Sequence, residues 1–290
     1  MKSSYLVNLL LLLLVSVLFW FNTQQDADDV TAKTISNLGM ADITTLSIEK
    51  EGQLTAKFVK EGEDWLMLTP VKAEANQTRI DVLLSLLALP VSSTLAITDH
   101  TDLNQFGLNK YSPVLMLNNL QFQFGSVVPI SERRYVRHQQ TLYLLPDTIA
   151  PLLNVNSYSF IDNQLLSSDQ KISSLQIPIL GEQGQFKLRQ LELIKQDGHW
   201  QSNSDHSVDQ LQTLIDHWQY AQALQVLPAS RLDFTKDKAH TLKLGINDDT
   251  VTKDYLLYSQ DRALFIIDSK QQLAYQFIAD LKQQLFLKVP

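Results

Sequence analysis

The strongest constraint in this sequence is a long apolar run close to its N-terminus. Residues 5–21 read YLVNLLLLLLVSVLFWF, and Asn8 and Ser16 are the only strongly polar members. A helix of that length covers about 25 Å, which is at the short end of what a bilayer requires. Tyr5 and Trp20 stand near its two ends, where amphipathic rings favour the membrane interface. The run therefore predicts one transmembrane helix.

The flanking residues predict the orientation of this helix. Lys2 precedes the run, whereas acidic and amide residues dominate 24–29. The positive-inside rule then places the N-terminus in the cytoplasm and the body outside, as in a single-pass bacterial inner-membrane protein with a periplasmic body. The alternative is a cleaved signal peptide, which has a shorter apolar segment and small residues at its cleavage site. Bulky Phe19, Trp20 and Phe21 occupy that place and favour a retained anchor.

Composition narrows the chemistry that the body can perform. The net charge of −7 argues against nucleic acid as a partner, because phosphate binding requires clustered lysines and arginines. The absence of cysteine excludes disulfides, thiol nucleophiles and zinc–thiolate sites. The sequence also contains no glycine-rich phosphate loop and no nucleophile-elbow pattern. We therefore expect no cofactor, no metal and no catalytic residue, and a protein that is not an enzyme.

Periodicity predicts two similar units behind the anchor. The alternating segment 43–48 (ITTLSI) recurs at 172–177 (ISSLQI), and Trp65 in a following strand pattern has a counterpart in Trp200. In each unit an amphipathic helix pattern comes next, and then a meander of short strands. A final helix is predicted over 271–285.

These patterns predict an α+β fold with an internal repeat. The predicted order is an N-terminal transmembrane helix followed by two tandem copies of an antiparallel-sheet-plus-helix unit. The corresponding boundaries are 1–22 for the anchor, 23–41 for a linker, 42–165 for the first unit and 166–290 for the second.

An ordered set of motifs in the first unit resembles a known bacterial family. The motifs are Trp65 and Pro70 before the helix pattern 80–89, the turn 102–108 (DLNQFGL), and Gly125 followed by Tyr-Val-Arg at 135–137 and an apolar strand at 142–145. In this order they resemble the domain of unknown function 4340 family, over roughly residues 42–230. Pro113 also fits the pattern of that family, whereas Phe106 stands where tyrosine is common.

The resemblance implies binding partners but no catalytic activity. The family has no established activity or catalytic residues, so no catalytic role is carried over to this chain. Such proteins look like partners of ABC-type export systems. The resemblance therefore implies possible ABC transporter subunits, or other envelope proteins, as partners.

Two polar clusters are candidate sites. Arg133, Arg134 and Arg137 form the densest basic patch and predict binding of an anion or an acidic partner. The alternative is that Arg133 and Arg134 lie in a hairpin turn and Arg137 on the solvent face of a strand. His199, Asp205 and His206 invite a metal interpretation, but their segment has the character of a polar turn rather than of a rigid zinc site.

These observations favour a non-enzymatic, membrane-anchored periplasmic protein that binds or organises envelope components. Two alternatives stay open. One is an envelope hydrolase whose residues are assembled only by folding, and the other is a small-ligand carrier with its site between the two units. A deep pocket with converging titratable groups would favour the hydrolase, whereas a shallow surface with a flat apolar patch would favour the interaction module.

Overall fold

The structure is a computed structural model that describes residues 12–17, 34–234, 239–247, 250–260 and 263–288. Residues 12–17 are helical, and the rest of the predicted anchor lies outside the described residues. Within these ranges, no helix has both the length and the apolar character that crossing a bilayer requires. The transmembrane helix therefore stays a prediction.

Two antiparallel sheets form the body, and few helices accompany them, as the sequence predicts. The first sheet contains β1 (Thr45–Lys50), β2 (Gln53–Glu61), β3 (Asp64–Thr69), β4 (Ala73–Glu74), β5 (Ser93–Ala96), β6 (Val114–Leu117), β7 (Leu120–Val128), β8 (Arg133–His138) and β9 (Thr141–Pro146). The second contains β10 (Ile172–Leu180), β11 (Phe186–Gln196), β12 (His199–Ser202), β13 (Gln225–Pro228), β14 (His240–Ile246), β15 (Val251–Gln260), β16 (Ala263–Asp268) and β17 (Leu273–Ile278). The α-helices of the body are α1 (Gln77–Leu84), α2 (Ala150–Leu153), α3 (Val208–Gln219) and α4 (Lys282–Leu285).

The two sheets share one strand order. The first runs β4-β3-β2-β1-β6-β7-β8-β9-β5 and the second β12-β11-β10-β14-β15-β16-β17-β13. In each sheet, the strand that follows the helix crosses over and pairs with the last strand of the meander. The two-residue β4 is the only strand of the first sheet that lacks a counterpart among the described strands of the second.

In each sheet, one asparagine with a left-handed backbone conformation binds the start of the first strand. Asn118 has a φ of 51°, and its Oδ1 accepts the backbone N–H groups of Thr44 and Thr45 at 2.9 and 3.0 Å. Asn247 has the same φ of 51°, and its Oδ1 accepts the N–H of Lys171 at 2.9 Å. Asparagine suits this role because it tolerates the left-handed region and carries a short acceptor. Each asparagine thus ties the end of one strand to the beginning of its neighbour.

The two longer helices begin at side-chain caps. The Asn76 side chain accepts the N–H of Arg79 at 3.1 Å at the start of α1. Ser207 and Gln210 form a reciprocal capping box at the start of α3. Both helices bury their apolar stripe, and Trp218 of α3 is fully buried. Trp65, Trp200 and Trp218 are all core residues, since each is less than one-tenth exposed.

The predicted final helix over 271–285 is wrong for most of its length. Residues 273–278 form β17, which pairs with β16 through Tyr275 opposite Ile266. Only Lys282–Leu285 is α-helical. Leu273, Phe277, Leu281 and Leu285 recur every four residues, as in a helix, but Tyr275 and Phe277 alternate into the core as in a strand. Pairing with a buried neighbouring strand decided the outcome.

The linking segment (157–171) joins the two sheets into one body. Its backbone hydrogen bonds extend to the first unit on one side and to the end of α3 on the other. They run from Asn76 N to Phe160 O (2.7 Å), Asp162 N to Glu74 O (2.9 Å), Ala223 N to Asn163 O (2.8 Å) and Leu165 N to Ala221 O (3.3 Å). Buried residues of both sheets and of this segment form one continuous apolar core.

Candidate functional site

The three predicted arginines lie on β8 but do not act as one cluster. Strand alternation places Val136 in the core, so Arg134 shares the core side, whereas Arg133 and Arg137 project from the opposite side. Arg134 forms a bidentate ion pair with Asp147, with Nε to Oδ1 at 2.7 Å and Nη2 to Oδ2 at 2.9 Å. Its Nη1 also donates to the Gly125 carbonyl. The Arg134 guanidinium is therefore engaged within the fold.

Arg137 is the arginine that faces an opening. Together with Gln121, Gln123 and His138 it lines a shallow polar depression of about 330 Å³. Its Nε donates to the Gln139 carbonyl at 3.2 Å, and the other guanidinium donors make no hydrogen bond within the described residues. An anion-binding role for Arg133, Arg134 and Arg137 together stays a prediction, and the geometry favours Arg137 within it.

Substitution of the arginines separates these roles. Arg134→Ala is expected to lower the free energy of unfolding by about 1–2 kcal/mol, because it leaves a half-buried Asp147 and the Gly125 carbonyl without their donor. Arg137→Ala is expected to change it by less than about 0.5 kcal/mol. Urea denaturation of both variants measures the difference. Equal destabilisation would refute the assignment of Arg134 as structural.

The motifs that carry the family resemblance contact one another in the first unit. Gly107 ends the turn 102–108 with a φ of 69°, and the turn packs against β7 at Gly125. A Cβ at Gly125 would lie inside the contact distance of the Phe106 carbonyl oxygen and 3.1 Å from Leu108 Cγ. Phe106 packs edge-on against Tyr135 with ring centroids 4.9 Å apart. Glycine is required at 125 because a backbone carbonyl occupies the space that a side chain would take.

The region of the metal interpretation is a hydrogen-bonded turn. His206 Nδ1 lies 2.7 Å from Ser204 Oγ, and His206 Nε2 lies 3.2 Å from the Lys288 carbonyl oxygen. Both ring nitrogens therefore have partners that tie this turn to the C-terminal region. No group of three acidic, histidine or cysteine side chains suited to a metal ion occurs in the described ranges.

A polar cleft lies between the two units, and we call it the junction cleft. It has a volume of about 60 Å³. The first unit and the linking segment contribute one wall, and β15 and β17 contribute the other. The polar residues of the two walls are Glu74, Asp162, Gln164, Ser167, Lys253, Gln271 and Tyr275. Sequence reasoning placed a possible site between the units but not these residues, since they are scattered over 200 positions and share no motif.

Hydrogen bonds order the junction cleft. Ser167 Oγ lies 2.6 and 2.8 Å from the two carboxylate oxygens of Glu74 and donates to that group. Lys253 Nζ donates to Gln170 Oε1 at 2.9 Å. Within the described residues Lys253 has no carboxylate at ion-pair distance. The lysine is thus held by an amide oxygen, whereas the Glu74 carboxylate accepts from Ser167 and the Asp162 carboxylate accepts from the backbone N–H of Gln164 at 3.2 Å.

Burial perturbs the titratable groups of this cleft. It raises the pKa of the Asp162 carboxyl, and the neighbouring Glu74 carboxylate raises that pKa further. Burial lowers the pKa of the Lys253 ammonium, although Glu74 opposes this effect. Burial also raises the pKa of the Tyr275 hydroxyl. Such a concentration of perturbed groups is typical of functional sites, although structural networks also produce it.

A second candidate surface lies beside α3 and α4. Two adjoining depressions of about 310 and 380 Å³ share His217 and Gln284 and form what we call the α3–α4 groove. Its apolar lining residues are Leu214, Tyr220, Ala221, Phe277, Leu281, Leu285 and Leu287. Tyr220 is 74% exposed. Asp209 and Asp216 stand on its rim and leave it acidic.

Comparison with known proteins identifies the family. The family model named Domain of unknown function (DUF4340) matches residues 65–245, which is more than half of the 290-residue chain. The chain belongs to the DUF4340 family. The resemblance inferred from the motifs is therefore confirmed. Neither the curated proteins nor the solved structures contain a match to this chain.

The DUF4340 match covers the two walls of the junction cleft unequally. It begins at Trp65 in β3 and ends at Gly245 in β14, so Glu74, Asp162 and Ser167 fall inside it. Lys253 lies beyond its end. The packed turn 102–108 and Gly125 are entirely within the match, which gives the family motifs a structural explanation.

Proposed function

We propose that this DUF4340 protein is a non-enzymatic accessory protein of the bacterial inner membrane. Its N-terminal helix would anchor it, and its periplasmic body would dock a partner envelope protein. The single observation that supports docking is the α3–α4 groove, where apolar side chains line an open surface with an exposed Tyr220 at its side. Exposed apolar surface of this kind is typical of interaction sites.

The occupant that fits this groove is a basic amphipathic helix of a membrane protein. The floor is apolar and suits the i, i+3, i+4 face of a helix. The rim carries Asp209 and Asp216, and the nearby Asp280 is also exposed. Acidic rims favour lysines and arginines on the edges of such a helix, which direct its association and fix its register. The family resemblance makes an ABC transporter subunit the first partner to consider.

A charge introduced into the groove tests this proposal. Gln284 is exposed and lines both depressions, so Gln284→Lys would place a positive charge opposite a basic helix. We expect capture of the partner by the full chain in mild detergent to fall by about tenfold or more, because like charges at an interface are costly. Gln284→Glu has a matched size and is expected to keep or increase capture. Quantitative mass spectrometry of captured membrane proteins measures both.

The control for this experiment lies elsewhere on the surface. Leu188 is 94% exposed on the second sheet, and Leu188→Lys is expected to leave capture unchanged. Capture of transporter subunits that is lost with Gln284→Lys and retained with the other two variants would support the proposal. Recovery of no membrane protein, or equal recovery by all three variants, would overturn it.

The junction cleft favours a second candidate function, a small-ligand carrier. Polar groups from both units converge there, as the alternative with a site between the units requires. Its volume of about 60 Å³ accommodates only a few non-hydrogen atoms, which argues against a hydrolase that must enclose a larger substrate.

We also infer that the two units descend from one ancestral unit by duplication. The shared strand order supports this origin, as do Asn118 and Asn247, which have the same φ and the same role at the start of each sheet. The two asparagines are 129 positions apart, as are the first residues of the repeated segments at 43 and 172. The boundaries 42–165 and 166–290 belong to this proposal.

A further inference from the structure

We propose that the junction cleft binds a small primary ammonium group, such as that of a free amine. This inference deepens the carrier candidate, and the docking proposal stands or falls separately from it. The cleft is a built feature rather than a surface irregularity, because its first wall is held by main-chain bonds. Asp162 N donates to Glu74 O at 2.9 Å, and Asn76 N donates to Phe160 O at 2.7 Å.

The hydroxyl of a largely buried tyrosine on the second wall is available to a ligand. Tyr275 is only 8% exposed, and it lines the cleft. Every fully buried side-chain polar atom of the described residues has a hydrogen-bond partner. The Tyr275 hydroxyl makes no hydrogen bond within these residues, so it opens into the cleft, unlike the Ser167 hydroxyl, which bonds to Glu74. A hydroxyl that opens into the cleft and has no protein partner is placed to bond a molecule held there, since it can both donate and accept.

The charges around the cleft favour a positive ligand. Glu74 and Asp162 line it, Asp268 lies close enough to act on Tyr275, and Lys253 is the one cationic side chain among the lining residues. Because Lys253 donates to Gln170 and forms no ion pair within the described ranges, it does not neutralise any one of the carboxylates directly. A bound cation would compensate the partly buried Asp162 carboxylate and the exposed Glu74 carboxylate beside it.

The available acceptors select an ammonium group over other cations. An ammonium carries three N–H donors, and the Glu74 carboxylate, the Asp162 carboxylate and the Tyr275 hydroxyl offer three kinds of acceptor around it. A metal ion would require a tighter set of ligands, and no such set of three occurs in the described part of the chain. The volume of about 60 Å³ limits the rest of the ligand to a few atoms.

Thermal denaturation of the full chain in mild detergent tests this inference. Methylammonium chloride at millimolar concentrations is expected to raise the midpoint by about 2 °C or more in a saturable way, because a ligand that binds the folded state stabilises it. Sodium chloride and tetramethylammonium chloride at equal ionic strength serve as controls and are expected to have no saturable effect. Glycine tests whether an amine that also carries a carboxylate is bound. Sodium acetate tests whether a carboxylate alone is bound.

Two variants assign the effect to the cleft. Tyr275→Phe keeps the ring in the core and removes the hydroxyl, and Glu74→Gln removes one charge at nearly constant volume. Both are expected to abolish the methylammonium shift, whereas the exposed Glu182→Gln is expected to retain it. Circular dichroism verifies that the variants are folded.

The inference is overturned by any of three results. These are the absence of a methylammonium shift in the parent chain, an equal shift with tetramethylammonium, and an undiminished shift in folded Tyr275→Phe and Glu74→Gln. An effect of glycine or acetate without an effect of methylammonium would overturn it as well, since the carboxylate would then be the recognised group. None of these results affects capture through the α3–α4 groove.

Discussion

Gly125→Ala is expected to lower the free energy of unfolding by about 3 kcal/mol, although it adds a single methyl group to a residue with an ordinary backbone conformation. Overpacking usually costs about 1–3 kcal/mol. Gly125 lies at the upper end because the new Cβ would meet the Phe106 carbonyl oxygen, a backbone atom that cannot rotate away, and also Leu108. Chemical denaturation of the parent and the variant measures the effect.

A second glycine provides the matched control. A Cβ at Gly39 would meet only Asp42 Oδ2, at an ordinary contact distance of 3.5 Å. Gly39→Ala is therefore expected to change stability by less than about 0.5 kcal/mol. If the two variants were equally stable, the turn 102–108 would not pack on β7 as described, and the explanation given for the family motifs would fail.

Trp218→Ala is expected to destabilise the body by about 3–5 kcal/mol, the range for removal of a large buried aromatic ring. Trp218 is fully buried and packs edge-on against Phe286 with ring centroids 5.5 Å apart. Its Nε1–H also donates to the Leu285 carbonyl at 2.6 Å. The substitution would leave a cavity and would release the C-terminal residues from α3.

A more conservative substitution separates packing from hydrogen bonding at this position. Trp218→Phe retains much of the ring contact but leaves the Leu285 carbonyl unpaired, so a loss of about 1–2 kcal/mol is expected. Tyr220→Ala, two residues further along and 74% exposed, is expected to be nearly neutral. Denaturation curves that ranked the three variants in any other order would contradict the role assigned to Trp218.

Local signals in the sequence predicted most of the elements. Asn76 and Ser207 precede apolar residues at helical spacing, so both longer helices could be placed from their caps. The alternation at 43–48 and 172–177 predicted the first strand of each sheet. The prediction for residues 271–285 was wrong because their apolar residues fit the period of a helix as well as that of a strand. Only the pairing of β17 with β16 decides between the two.

The candidate sites were less accessible to sequence reasoning because they depend on distant pairs. Asp147 follows β9 and lies 13 positions after Arg134 of β8, and nothing in the basic patch indicated that one of its arginines was already paired. The junction cleft requires Glu74 and Lys253 to meet, which only the docking of one sheet against the other brings about. The periodicity of apolar residues predicts single helices and strands, but it does not predict contacts between residues that are distant in sequence.

The way in which residues 157–171 bind to both sheets limits how this chain can be engineered and how it can evolve. A shared wall of this kind cannot be lengthened without pulling apart bonds on one side or the other, so its length is under constraint. The hairpin tip between β7 and β8 is free of that restriction, since Ile130 there is 98% exposed. We expect affinity tags and natural insertions to be tolerated at such tips. The midpoint of the sequence would suit them only if the two units were independent, and residues 157–171 bind to both.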